Sequence, residues 1–93
     1  MYDLIFDESY KKKERKFFKK HPELLEKYRK VLHILRVDPS YPALRLHKLQ
    51  GHLKDYHSIS INMSYRVVIN FIIENDKIIF IDIGGHEVYK TSK

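Results

Sequence analysis

The chain has 93 residues, 43% of them apolar, with no cysteine and a formal net charge of +6. That length fits one domain, expected to span residues 1–93, whose core forms without disulfides or thiolate-bound metal. No apolar run reaches the roughly 20 residues of a membrane span and no signal-peptide core opens the chain, so a soluble cytoplasmic protein is expected.

Residues 2–6 (YDLIF) read as a short strand. Asp7 is placed to cap the following helix, because its carboxylate accepts free amide hydrogens of the first turn. That helix is expected to reach about Lys19, with Tyr10, Phe17 and Phe18 inward and the KKKERK run outward. Pro22 fits the first position of a second helix. Its stripe of Leu24, Leu25, Tyr28, Val31, Leu32 and Leu35 buries one face and ends before Asp38-Pro39. The two helices form an antiparallel hairpin. Residues 38–56 contain Pro39, Pro42 and Gly51 and predict an irregular connection with a short strand near Leu44–Leu46. Strands follow at about 57–61, 65–73 and 77–83, giving an α+β fold: an N-terminal strand and helical hairpin packed on a small, mostly antiparallel, twisted sheet. The charge is uneven. Residues 1–50 hold 13 Lys/Arg against 7 Asp/Glu, and residues 51–93 hold five of each. Such a field attracts polyanions, though a solvated basic surface explains it equally well.

Strand register carries the reading toward chemistry. A three-residue turn at Asn62-Met63-Ser64 sets Ser60 opposite Arg66 and Ile59 opposite Val67; a two-residue turn would mix the faces. A second such turn at Glu74-Asn75-Asp76 predicts Phe71 opposite Ile79, Ile69 opposite Ile81 and Val67 opposite Ile83. One face is then oily and takes the helices. The other carries Ser58, Ser60, Arg66, Asn70 and Asp82, with His86 two residues beyond Gly84 on the same side.

Arg66 interrupts an apolar strand, where a charge is costly without a purpose. Its planar fork matches phosphate, and a structural pair with Asp82 is the equal alternative. His86 follows Gly84-Gly85, where the backbone can turn sharply, and histidine titrates near neutrality, as proton transfer requires. A surface histidine on a frayed tail is the plainer explanation. His47, His52 and His57 share the segment LHKLQGHLKDYHS with Lys48 and Lys54. Their five-residue spacing suits phosphate or acid–base contact better than a metal, and no cysteine or carboxylate cluster completes a metal set.

Three stretches, LHKLQGHLKDYHSISIN, SYRVVINF and IDIGGHEVY, occur in an order that resembles the RelE/ParE superfamily of bacterial type II toxins. The resemblance covers essentially the whole chain and is nearest the RelE/YafQ-like branch. It implies a ribosome-dependent endoribonuclease that cuts mRNA by 2′-hydroxyl attack, needing neither metal nor organic cofactor. It implies catalytic roles for His47, Arg66, His86 and Tyr89, and RNA contacts by Lys48, His52, Lys54, His57 and Lys90. The implied partners are the ribosome, mRNA and a small acidic antitoxin, with the free toxin a monomer. Relatives often read Gly-Thr-His-Asp-Glu-Val-Tyr at the end, and Gly84–Tyr89 is one residue shorter. The YafQ-like histidine and aspartate are also missing near Ser60 and Ser64, where this chain has serines. Two other readings stand beside this one: a ParE-like toxin that inhibits DNA gyrase by protein binding, and an inactive module that binds RNA or antitoxin.

Overall fold

The computed structural model describes residues 1–72 and 75–91, with side chains as far as Tyr89. Strand β1 (Asp3–Ile5) leads into helix α1 (Glu8–Lys20), and the Asp7 carboxylate accepts the Tyr10 amide at 2.8 Å, so the expected cap forms. A single 3₁₀ turn at Pro22–Leu24 opens helix α2 (Leu25–Val37). Five strands form one sheet in the order β1-β5-β4-β3-β2, where β2 is His47–Lys48, β3 His57–Ser60, β4 Arg66–Ile72 and β5 Lys77–Gly84. The four later strands run antiparallel in succession, while β1 pairs parallel with β5. A four-residue helix α3 (Val88–Thr91) follows.

The helices bury their apolar stripe on one face of this sheet. Tyr10, Phe17, Tyr28, Val31 and Leu35 meet Ile59, Ile61, Val67, Ile69, Ile78, Phe80 and Ile83 in the main core. At its centre the Tyr10 and Tyr28 hydroxyls lie 2.8 Å apart, and Tyr28 donates to the Glu14 carboxylate at 2.5 Å. Two phenols thereby bury their polar ends at the cost of fixing one carboxylate. Burial raises the pKa of both hydroxyls far above the ordinary phenol value.

Three sequence expectations need correction. The short strand of the connection is His47–Lys48, not Leu44–Leu46; Pro42–Leu44 is a 3₁₀ turn instead. It forms where it does because His47 and Lys48 can pair with Ser58 and His57 on the edge of β3. The β3–β4 register is as expected, Ser60 opposite Arg66 and Ile59 opposite Val67. Between β4 and β5, however, the register slips beside Val68/Ile69, so Ile69 faces Phe80 and Phe71 faces Ile78. An extra residue in one strand shifts all pairing beyond it; Val67–Ile83 and Arg66–Gly84 lie on the near side and keep the predicted register. The second turn includes Glu74, which lies outside the described residues. The third correction concerns the face away from the helices. It is not purely polar: Leu49, Leu53, Val68 and Val88 form a second, smaller core there, joined by Tyr56, Ile81 and Tyr89.

Candidate active site

The second core anchors the C-terminal segment across the sheet. Gly84 and Gly85 carry the chain off the end of β5, and the Glu87 carboxylate turns back to accept the Gly85 amide at 3.1 Å. Gly84 has φ +157°, and a Cβ there would collide with the Glu87 carboxylate and press on Val88. The carboxylate can swing aside, but the φ is one that residues with side chains rarely adopt, and glycine takes it without strain. Val88, 1% exposed, plugs into the apolar cluster and sets the next residue, Tyr89, over Arg66.

Arg66 opens β4 between Ser60 and Gly84. Its Nη1 donates to the Tyr89 hydroxyl at 2.9 Å, and its Cζ stands 5.7 Å from the centre of that ring. The Tyr89 hydroxyl also lies 2.9 Å from Ser58 Oγ, on the neighbouring strand β3. Arg66 Nε is buried and has no hydrogen-bond partner among the described residues. Asp82 stands diagonal to Arg66, opposite Val68, with its carboxylate accepting the Ile83 amide at 2.8 Å.

The two outer histidines border this group. His47, on β2, is the direct cross-strand neighbour of Ser58 and so shares its face of the sheet. Its Nδ1 is 3.1 Å from the Arg45 carbonyl. Arg45 holds a left-handed backbone conformation (φ 51°) at the end of the 3₁₀ turn, two residues before His47. In the neutral imidazole Nδ1 carries the proton in that bond, which leaves Nε2 as the basic nitrogen. His86 is exposed at the glycine turn, its ring centre 6.1 Å from that of Tyr89. The strands thus bring Ser58 and Arg66 together with Tyr89, and place His47 and His86 on either side.

The remaining expected RNA contacts do not join this cluster. Lys48 and His57 pair with each other one residue out of phase with His47 and Ser58, which turns them to the helix side of the sheet. The His57 ring packs edge-on against Phe71 at 5.1 Å, and its Nδ1 is buried without a partner among the described residues. Burial lowers the His57 pKa, and the charges of Lys48 and His47 lower it further. His52 and Lys54 lie exposed at the 3₁₀ turn Gly51–Leu53 and its end. His52 faces Lys13, Lys16 and Lys20 of α1 across an open cleft of about 930 Å³, floored by Phe17, Tyr65 and Ile83. At that cleft Lys13 Nζ donates to the Ile81 carbonyl at 3.3 Å. The Lys90 side chain lies outside the described residues. Among the described residues no group of three or more His, Cys, Asp or Glu side chains gathers as a metal site, and no helix is long and apolar enough to cross a membrane.

Sequence reasoning placed Ser58 on the polar face but gave it no task. The signal was available: a serine alternating with isoleucine in a strand flanked on both sides has its hydroxyl fully enclosed, and a buried hydroxyl needs a partner.

No protein-family model matches the chain, and no curated protein matches it. Solved structures do. YafQ from E. coli strain BL21(DE3) superposes with a TM-score of 0.76 at 15% identity, over 96% of this chain and 98% of that one. A chain of the E. coli DinJ–YafQ toxin–antitoxin complex gives 0.74 at 19% identity over 94% of each. A copper-bound mutant toxin from Helicobacter pylori gives 0.71 at 23% identity, over 95% of this chain and 98% of that one. Strand order, helical hairpin and C-terminal turn therefore build one recognised architecture.

Proposed function

We propose that this chain, which has the RelE/YafQ-like toxin fold, works as the toxin of a type II toxin–antitoxin pair and cuts mRNA on the ribosome. The observation that carries this reading is the Arg66–Tyr89–Ser58 cluster, with a basic imidazole nitrogen of His47 on one side and exposed His86 on the other.

In this mechanism His47 Nε2 takes the proton from a ribose 2′-hydroxyl, whose oxygen attacks the adjacent phosphorus. The guanidinium of Arg66 offers its remaining Nη hydrogens to the phosphoryl oxygens as negative charge builds on them. The bond to the 5′-oxygen breaks, and protonated His86 supplies that oxygen with its hydrogen. The products are a 2′,3′-cyclic phosphate on one fragment and a 5′-hydroxyl on the other. Every proton is accounted for by side chains, so the step calls for no metal or organic cofactor.

The lysines of α1, with His52 across the cleft, supply the surface on which ribosomal or messenger phosphates are held, with affinity that falls steeply with salt. The neutralising partner is a small acidic antitoxin, and the site of action is the cytoplasm. Purified protein added to translation reactions should cleave ribosome-bound message and leave gyrase supercoiling untouched. Inhibition of supercoiling with message intact would reverse the assignment in favour of a gyrase-directed toxin.

A further inference from the structure

The hydroxyl of Ser58 is wholly enclosed, with 0% of the residue exposed, on a strand flanked by β2 and β4. Alanine would fill the same space without the cost of desolvating a hydroxyl. Among the described residues, Ser58 Oγ makes one side-chain hydrogen bond, to Tyr89. Tyr89, in turn, rides on a helix of four residues, far too short to hold its own shape in water. The position of its phenol is set by what grips it: Val88 in the apolar cluster, Arg66 Nη1 and Ser58 Oγ.

Proton accounting gives these bonds a direction. Arg66 can only donate, so the phenol oxygen accepts from it. The buried Ser58 hydrogen has no acceptor among the described residues except that same oxygen. With Arg66 and Ser58 both donating, the phenol's own hydrogen is the one left for solvent or a bound ligand at this half-buried residue. A phenol oxygen has lone pairs enough for both donors. With both bonds accepted, the Tyr89 hydrogen remains to be given away.

We infer that Ser58 is a positioning residue: it donates to Tyr89 and so holds the phenol beside Arg66 with its hydrogen free for a non-bridging phosphate oxygen of the RNA. The inference rests on the ribonuclease reading above. Ser58 acts only through Tyr89, touching neither substrate nor the reacting atoms.

A pair of double-mutant cycles on the full chain tests it, using Ser58→Ala and Tyr89→Phe. In single-turnover cleavage of ribosome-bound message, Ser58→Ala should lose roughly tenfold in rate at saturation with little change in half-saturating concentration. In the Tyr89→Phe background the same change should cost nothing further, because the hydroxyl it orients is gone. Ser58→Cys, a weaker donor of similar shape, should fall between serine and alanine. Ser58→Ala cutting at the wild-type rate, or losing as much in the Tyr89→Phe background, would overturn the inference. The second cycle reads urea unfolding midpoints, where the two substitutions should shift the midpoint less together than the sum of their separate shifts. Additive midpoints would remove the bond itself. A wild-type chain that cleaves nothing would defeat the ribonuclease reading, and the positioning role with it, while the urea cycle would still report on the bond.

Discussion

Arg66 and Tyr89, 23 residues apart in sequence, meet through a 2.9 Å hydrogen bond from Nη1 to the phenol oxygen. The contact ties the first residue of a central strand to a short helix, while Arg66 Nε is buried with no hydrogen-bond partner among the described residues. A guanidinium held through Nη1 keeps its other Nη hydrogens for a ligand. That arrangement makes Tyr89 both a structural clamp and a wall of the proposed site.

Tyr89→Phe should therefore keep the ring over Arg66 but lose both hydrogen bonds of the hydroxyl. Unfolding free energy should fall by about 1–2 kcal/mol, as expected for two partly buried bonds. Cleavage should fall as well, since Arg66 is no longer fixed. Urea denaturation and single-turnover cleavage measure the two effects, and a variant unchanged in both would strip the hydroxyl of any role.

Arg66→Ala should fold, because Arg66 is half-buried at the strand's first residue and the neighbouring Val67, Val68 and Ile69 retain their packing. Its cleavage rate should drop by about 10²–10³-fold, the usual effect of deleting a donor aimed at developing charge. Circular dichroism checks the fold and growth inhibition at equal expression checks the toxin. An Arg66→Ala chain that is fully toxic would confine Arg66 to a structural role.

His86→Gln tests proton transfer at the glycine turn. Glutamine retains size and hydrogen bonding but cannot titrate, so the chemical step should slow by about 10²–10⁴-fold while RNA binding barely changes. Paired with His47→Gln, the double variant should lose less than the product of the two single effects. A His86→Gln chain that cuts at the normal rate would dismiss the acid–base pair.

Much of this geometry was legible before the structure, for identifiable reasons. The Asp7 cap and the β3–β4 register depend on neighbouring residues and a tight turn, and both follow from local pattern. The placing of β2 and the slip beside Val68/Ile69 do not, because they are settled by which edge is free and how the sheet coils. The slip moves Ile81 from its expected place opposite Ile69 into the second apolar cluster. Period-two alternation in β3 already put His57 out of phase with Ser58, yet its company of histidines and lysines suggested a phosphate contact. The shortened C-terminal motif hid the position of Tyr89, which depends on Val88 finding a pocket made by residues far away in sequence.

His57 gives the fold a distinct response to acid. Its pKa is lowered in the folded chain, chiefly by burial, from the ordinary value of 6.5. The unfolded chain then binds the proton first, so this contribution to stability is complete above pH 6.5 and is lost as pH falls below it toward the folded value. Replacing His57 by Phe should flatten the dependence of melting temperature on pH in that window. An unchanged slope would show that His57 is solvated in the folded state.

The chemistry of the cut ends reports directly on attack by the 2′-hydroxyl. The proposed attack by the 2′-hydroxyl, with His47 and His86 moving protons around Arg66, must leave a 5′-hydroxyl on the downstream fragment and a cyclic or 3′-phosphate on the upstream one. Fragments from ribosome-bound message should therefore accept phosphate from polynucleotide kinase without prior dephosphorylation. Downstream fragments that already carry a 5′-phosphate would mean that water, not the ribose, attacked the phosphorus, and would contradict the mechanism built on these residues.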